Sequence, residues 1–433
     1  LIEFNDTNVG YCGNEFDLNS NEKLKKLSII QSVFNDDECT LRILIATTPT
    51  SRIEIINSGF DIPTFAQLTV DEANLAYIMS QVNITMELAI LIETNYNESM
   101  GNNHLTDVTR FRNGTNGLSI SHTYRNIYQT DIQVLVRRNE GGIFGRVFEV
   151  PTGNTFNQAN GFATVSVDGV TDGRFSFTHE VGHLQGARHE NHNANPNYAR
   201  GFVSSNNTNA WRTIMARTGA APCSQSNSCR IGSFSNPNIN GPDGNPSGNS
   251  ERNNARRLNE SANFINSYRQ VPTNLYLQNE TIPANYVSNH LAKSRINTNS
   301  KNLFYQNNSV GTMRSENEII LKPGVFIQQG SDFRAYTIAE ACETEPFLKQ
   351  SNNNLDEFNN EIDFLLYPNP TSNIINLFFN KELKDYKIEV YSFTTKNKIF
   401  TKNYTELSKK TSIDMSRLKS DIYILKLISN NKV

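Results

Sequence analysis

The sequence lacks any apolar run long enough to cross a bilayer; a representative longest run, Leu41 to Ala46, has the length of a strand. It also lacks an excess of one charge sign, since 40 Lys and Arg stand against 43 Asp and Glu, a formal net charge of −3. That balance excludes the broad basic field that draws a protein onto nucleic acid or an anionic membrane. Cysteine is scarce. The five present, Cys12, Cys39, Cys223, Cys229 and Cys342, are too few for a disulfide scaffold and are not spaced as a metal-thiolate cluster. What the chain does have, 37% hydrophobic residues over 433 positions, is enough for more than one core.

Strand and helix patterns divide the chain into five stretches. Residues 1–38 form an N-terminal segment, which a propeptide would fit. From 39 to 271 the pattern is α/β. It opens on the strand Leu41–Ala46 and continues through an expected capping box at Thr69-Val70-Asp71-Glu72, with Leu75, Ile78, Met79, Val82 and Met86 at helical spacing behind it. Further strands are expected at Ala89–Glu93, Ile132–Val136 and Gly161–Val167, and a helix from about Glu251 to Tyr268. Residues 272–343 read as a small all-β module, 344–362 as a polar, Asn-rich linker, and 363–433 as a terminal β-sandwich with strands at Asn373–Phe379, Tyr386–Ser392 and Asp421–Ile428.

The chemistry is concentrated in eleven residues, His179-Glu180-Val181-Gly182-His183-Leu184-Gln185-Gly186-Ala187-Arg188-His189. On a helix, positions four apart share a face, so His179 and His183 can aim imidazole nitrogens at one ion. A third ligand ten residues past the first requires the helix to stop, and Gly186 supplies the positive-φ residue for that turn. Three neutral imidazoles suit Zn²⁺ and leave a fourth position for water, while Glu180 is placed to act as general base. A lone histidine is usually a satisfied core residue, but five fixed positions of the form HExxHxxGxxH are not a chance arrangement.

This motif resembles that of the metzincin zinc endopeptidases. The resemblance implies a metzincin-like catalytic domain, an α/β (α+β) fold with a twisted mixed sheet and a long zinc-site helix, followed by two small all-β modules. It also implies a methionine turn under the metal, for which Thr213-Ile214-Met215-Ala216 is suited. Tyr198–Phe202, Trp211–Met215 and Phe234-Ser235-Asn236-Pro237 are similar to bacterial reprolysin-like enzymes of the peptidyl-Asp metalloendopeptidase type. Astacin-like and serralysin-like metzincins carry Tyr two residues after the Met, whereas this chain has Arg217. Arg217, aided by Arg200, is therefore a candidate for selecting an acidic side chain after the scissile bond, with a surface arginine as the alternative. The strand containing Gly161, Phe162, Ala163 and Thr164 is expected to be the edge strand that pairs with an extended substrate, or else an ordinary sheet strand.

Tyr367-Pro368-Asn369-Pro370, Asp414–Leu418 and Ile422–Lys426 resemble the C-terminal sorting domain of type IX secretion cargo, and Ile319–Gly324 with Gly330–Ala335 resemble the stacked β modules that accompany it. The implied partners are a protein or peptide substrate and the secretion machinery, for a monomer that is secreted or held at the cell surface. An opening at Leu1 without a charged-then-apolar leader is the expectation for a chain whose signal has been removed. In that compartment Cys223 and Cys229 can form a local disulfide, and Cys12 can pair with Cys39, remain free, or serve as a latency thiol. A rival reading makes the β modules an adhesion device on a degraded zinc scaffold, and an intact Glu180 beside three intact ligands opposes it.

Overall fold

The computed structural model describes residues 40–98, 103–139, 144–171, 174–204, 210–217, 230–299, 302–337, 364–367, 374–392, 398–418 and 423–429. They form two compact units, one within Gly10–Pro346 and one within Phe347–Val433. All five cysteines, the 344–362 linker and the motif Pro368-Asn369-Pro370 lie outside the described residues.

The first unit opens with strand β1 (Leu41–Thr47), every residue of which is buried. Helix α1 (Pro49–Asn57) follows, with Thr48 and Ser51 capping each other reciprocally. Helix α2 spans Ile62–Met79 and starts well before the expected capping box. Its cap is Asp61, whose carboxylate accepts from the Thr64 amide at 2.8 Å. Thr69 sits in mid-helix with its hydroxyl donating to Phe65 O, so it caps nothing. The buried face is Phe65, Ala66, Val70, Ala73 and Tyr77, whereas Leu75, Ile78 and Met79 are exposed. Met86 belongs to the next strand, β2 (Met86–Glu93).

After α3 (His104–Asn113) and α4 (Ser119–Ile127) come β3 (Ile132–Arg137), β4 (Gly145–Val147), β5 (Phe162–Ser166), the short α5 (Val167–Thr171) and α6 (Ser176–Leu184). β2, β1, β3 and β5 run parallel in that order, and β4 closes the sheet antiparallel to β5. Helix α7 (Asn254–Asn266) ends this portion.

Nine short strands follow in three coils, beginning with β6 (Asn274–Tyr276), β7 (Glu280–Ile282) and β8 (Val287–Ala292). The second coil is β9 (Arg295–Asn297), β10 (Leu303–Tyr305) and β11 (Val310–Ser315). The third is β12 (Glu318–Ile320), β13 (Val325–Ile327) and β14 (Asp332–Thr337). Equivalent strands of successive coils pair in parallel, giving a three-sided stack. β8 also pairs with β2 through Ile90↔Ser288 and Leu91↔Val287, so one eight-stranded sheet runs from β14 to β4. The buried Glu87 carboxylate is bonded by Arg42 of the neighbouring β1, at 2.7 Å, and from across this seam by Arg314 of β11. Burial alone would raise the Glu87 carboxyl, but the two guanidinium groups outweigh it and hold it below the usual range.

The second unit has two three-stranded antiparallel sheets. β15 (Phe364–Tyr367), β16 (Ile374–Leu383) and β19 (Ser408–Asp414) form one, and β17 (Tyr386–Ser392), β18 (Lys398–Tyr404) and β20 (Tyr423–Ser429) the other. They share an apolar core that includes Leu377, Ile388, Val390 and Ile413.

Candidate metal centre

Helix α6 carries His179, Glu180 and His183 and is only nine residues long, because Gly186, at φ +87°, ends it. That conformation and the Arg257 guanidinium packed against the glycine leave no room for a side chain there. The chain then turns back. The Arg188 amide donates to Ala199 O and the Gly201 amide to Arg188 O, which fixes His189 beside the helix.

The three rings converge. His189 Nε2 lies 3.1 Å from His179 Nε2 and 3.0 Å from His183 Nε2. At the far side of each helical ring, Nδ1 is 2.8 Å from a backbone carbonyl, Ile214 O for His179 and Ala187 O for His183. A carbonyl only accepts, so each Nδ1 carries the hydrogen and each Nε2 presents a bare lone pair to the others. Burial lowers all three histidines, His183 to about 3 and His189 to about 4, the latter helped by Arg217, so the imidazoles are neutral. Two bare lone pairs thus converge on His189 Nε2, and the donor set can hold one metal ion and suits one that accepts imidazole nitrogen.

Glu180 is buried beside this cluster. Desolvation raises its carboxyl to about 8, against the pull of Arg146 and Arg230. Its side chain lies against Gly145 of β4, where an added Cβ would come within 2.5 Å of Glu180 Cγ. Met215 is fully buried, and an added Cβ on Gly182 of α6 would lie 2.9 Å from its sulfur. The same turn supplies the Ile214 carbonyl that orients His179.

A cleft of about 520 Å³ opens over the histidines, lined by Phe144–Val150 and by His192, Arg217 and Arg230. The strand along it is β4, and this corrects the expectation for Gly161, Phe162, Ala163 and Thr164. The Gly161 carbonyl accepts from Gln133 N, and Phe162, Ala163 and Thr164 are buried in β5, which is paired on both edges. Such a strand has no backbone groups left for a substrate. Arg200 is also misplaced by the sequence reading: it does not line the cleft and pairs with Glu251 at 3.5 Å. Arg217 does line it, but its backbone and guanidinium bond the Glu190 carboxylate, and one guanidinium nitrogen lies 2.7 Å from Asn191 Oδ1. Sequence reasoning missed Gly145, Arg174, His192 and Arg230. Gly145 closes the run Gly141-Gly142-Ile143-Phe144-Gly145, whose glycines were the available signal.

A sheet ending in an antiparallel edge strand above a three-histidine helix-and-turn centre defines a metallopeptidase fold and site. The profile of metallo-peptidase family M12 matches residues 37–235, and that of the secretion system C-terminal sorting domain matches 365–433. A peptidyl-Asp metalloendopeptidase of Xanthomonas campestris pv. campestris is 36% identical over 205 residues, covering 46% of this chain and 45% of the relative. One from Stenotrophomonas maltophilia is 37% identical over 208 residues, 46% of each. One from Pseudomonas fragi is 32% identical over 178 residues, covering 40% of this chain and 89% of the relative. The chain belongs to this metallopeptidase family. It spans about half the length of the first two relatives. The sorting domain marks it as secreted or held at the cell surface, and among the described residues no helix is long and apolar enough to cross a membrane.

Proposed function

We propose that the protein is a secreted zinc-dependent endopeptidase that prefers an acidic residue after the bond it cuts. The observation that carries this reading is the convergence of three imidazole nitrogens beside a buried carboxyl group, under the free edge of a sheet. His179, His183 and His189 would hold Zn²⁺, which when bound supplies a Lewis acid that acidifies water and polarises a carbonyl. Glu180 then takes the proton of the attacking water and passes it to the leaving amine, a task suited to a carboxyl that burial has made reluctant to stay ionised. The backbone of β4 offers ladder hydrogen bonds to an extended peptide, which makes a polypeptide the substrate. Met215 serves as an apolar floor that keeps the Ile214 carbonyl on His179. Type IX export would deliver the enzyme outside the cell. The acidic preference draws on the relatives, which are peptidyl-Asp metalloendopeptidases, and on a cleft lined by Arg146, Arg174, Arg188, Arg217 and Arg230 but by two carboxylates, Glu149 and Glu180.

The test compares Glu180→Gln with the native protein on unfolded substrate, with metal content measured. The variant should keep its metal and lose at least about a hundredfold in kcat. Equal turnover, or native cleavage indifferent to a chelator, would end the reading.

A further inference from the structure

The cleft has a direction, and the direction separates its arginines. β4 runs from Gly145 to Val147, and the Glu180 carboxylate lies against Gly145. A peptide pairing antiparallel with β4, its reacting bond at Glu180, must place the residues before the cut toward Val150 and those after it toward Phe144. Arg188 sits at the Val150 end, with one guanidinium nitrogen bonded to Val150 O, Pro151 O and Thr152 Oγ1. Arg217 is engaged by the Glu190 carboxylate. Arg146 projects from β4 itself and is exposed to water.

Two more arginines border the Phe144 end. The Arg174 guanidinium lies 3.8 Å above the Phe144 ring. Arg230 donates to Arg174 O from one terminal nitrogen and, at 3.2 Å, to Ala216 O from the other. Both acceptors are neutral carbonyls, and among the described residues no carboxylate stands within ion-pair distance of Arg230. Its segment is pinned to the turn beneath the histidines by Ile231 N to Arg212 O and Ile214 N to Ser233 O. Arg230 is thus a fixed, half-buried cation in the cleft wall whose direct hydrogen bonds go only to neutral carbonyls, with Glu180 and Glu72 attracting it from beyond ion-pair distance, and its bond to Arg174 O puts it at the Phe144 end, which the residue after the cut reaches. Fixed guanidinium groups bind carboxylates at little entropic cost.

We propose that Arg230, supported by Arg174, is the specificity residue that receives the acidic side chain following the scissile bond, in place of Arg217 or Arg200. This rests on the endopeptidase reading above. The test uses the full-length metal-loaded protein and two peptides differing only in Asp or Asn after the cut, with kcat/KM measured for each. Native protein should favour Asp. Arg230→Gln should lower the Asp:Asn ratio by about tenfold to a hundredfold, the worth of one charged hydrogen-bonded contact. Arg217→Gln and Arg200→Gln should leave the ratio in place. An unchanged ratio in Arg230→Gln, or a collapsed one in Arg217→Gln, overturns the assignment. So does a native protein that cuts both peptides equally, a result that leaves the endopeptidase reading standing; native protein that cuts neither ends both. Should glutamine at 230 prevent folding, judged by melting and metal content, Arg230→Lys carries the test. A severalfold drop in ratio is expected when a point charge replaces the guanidinium fork, and no drop overturns the assignment.

Discussion

Gly145→Ala isolates the placement of the base from its chemistry. A methyl at this position would lie 2.5 Å from Glu180 Cγ, 2.7 Å from Oε1 and 2.8 Å from Cδ, whereas non-bonded carbons rest at about 3.5–4.0 Å. The carboxyl group must therefore move by about 1 Å, or β4 must lift away. A displacement of that size costs roughly a hundredfold in rate, and overpacking costs about 1–3 kcal/mol in stability. The histidines touch neither change, so zinc content should be unaltered. Steady-state kinetics on an Asp-containing peptide, beside metal analysis, should show kcat reduced about a hundredfold at one metal per chain. In Glu180→Gln the same glycine substitution should add almost nothing, because the two changes act on one group. Full activity in Gly145→Ala, or a loss that tracks loss of metal, would refute the argument.

The histidines make the metal-free protein acid-sensitive. Folding holds His183 at about 3 and His189 at about 4, below the ordinary 6.5, so their contribution to stability is present above about 6.5 and is lost as pH falls toward those values. Melting temperature of the chelated protein should drop between pH 7 and pH 4, zinc affinity should weaken over the same range, and His183→Asn should flatten the slope. Glu87→Gln should cost about 3–5 kcal/mol, read by denaturant unfolding, because it leaves Arg42 and Arg314 buried without their shared carboxylate. Wild-type stability in that variant would show that the seam between β2 and β8 is held by pairing alone.

The metal site was legible because its chemistry is local. One helical turn aligns His179 with His183, and one glycine brings back His189, so eleven consecutive residues define the cluster without tertiary knowledge. The strands Leu41–Thr47 and Ile132–Arg137 were legible for the same reason, as continuous apolar runs buried on both faces. What the sequence hid depends on distant partners. β4 is three residues long and carries no period, so the neighbouring Gly161–Val167 segment took its role by default. The start of helix α2 lies eight residues before the expected cap, at Asp61 instead of Thr69, because Thr69 and Glu72 imitate a cap, although Asp61 ahead of Ile62-Pro63 is the stronger start. Arg230 carried no signal of its own. It stands far along the chain from Phe144, and only the fold brings the two ends of that cleft wall together.

X-ray absorption at the zinc edge, with total metal analysis of protein purified without added zinc, measures the central claim directly. One zinc per chain with three imidazole nitrogens at about 2.0–2.1 Å is the predicted result. A chain without transition metal, or an ion bound by fewer than three imidazoles, would contradict it.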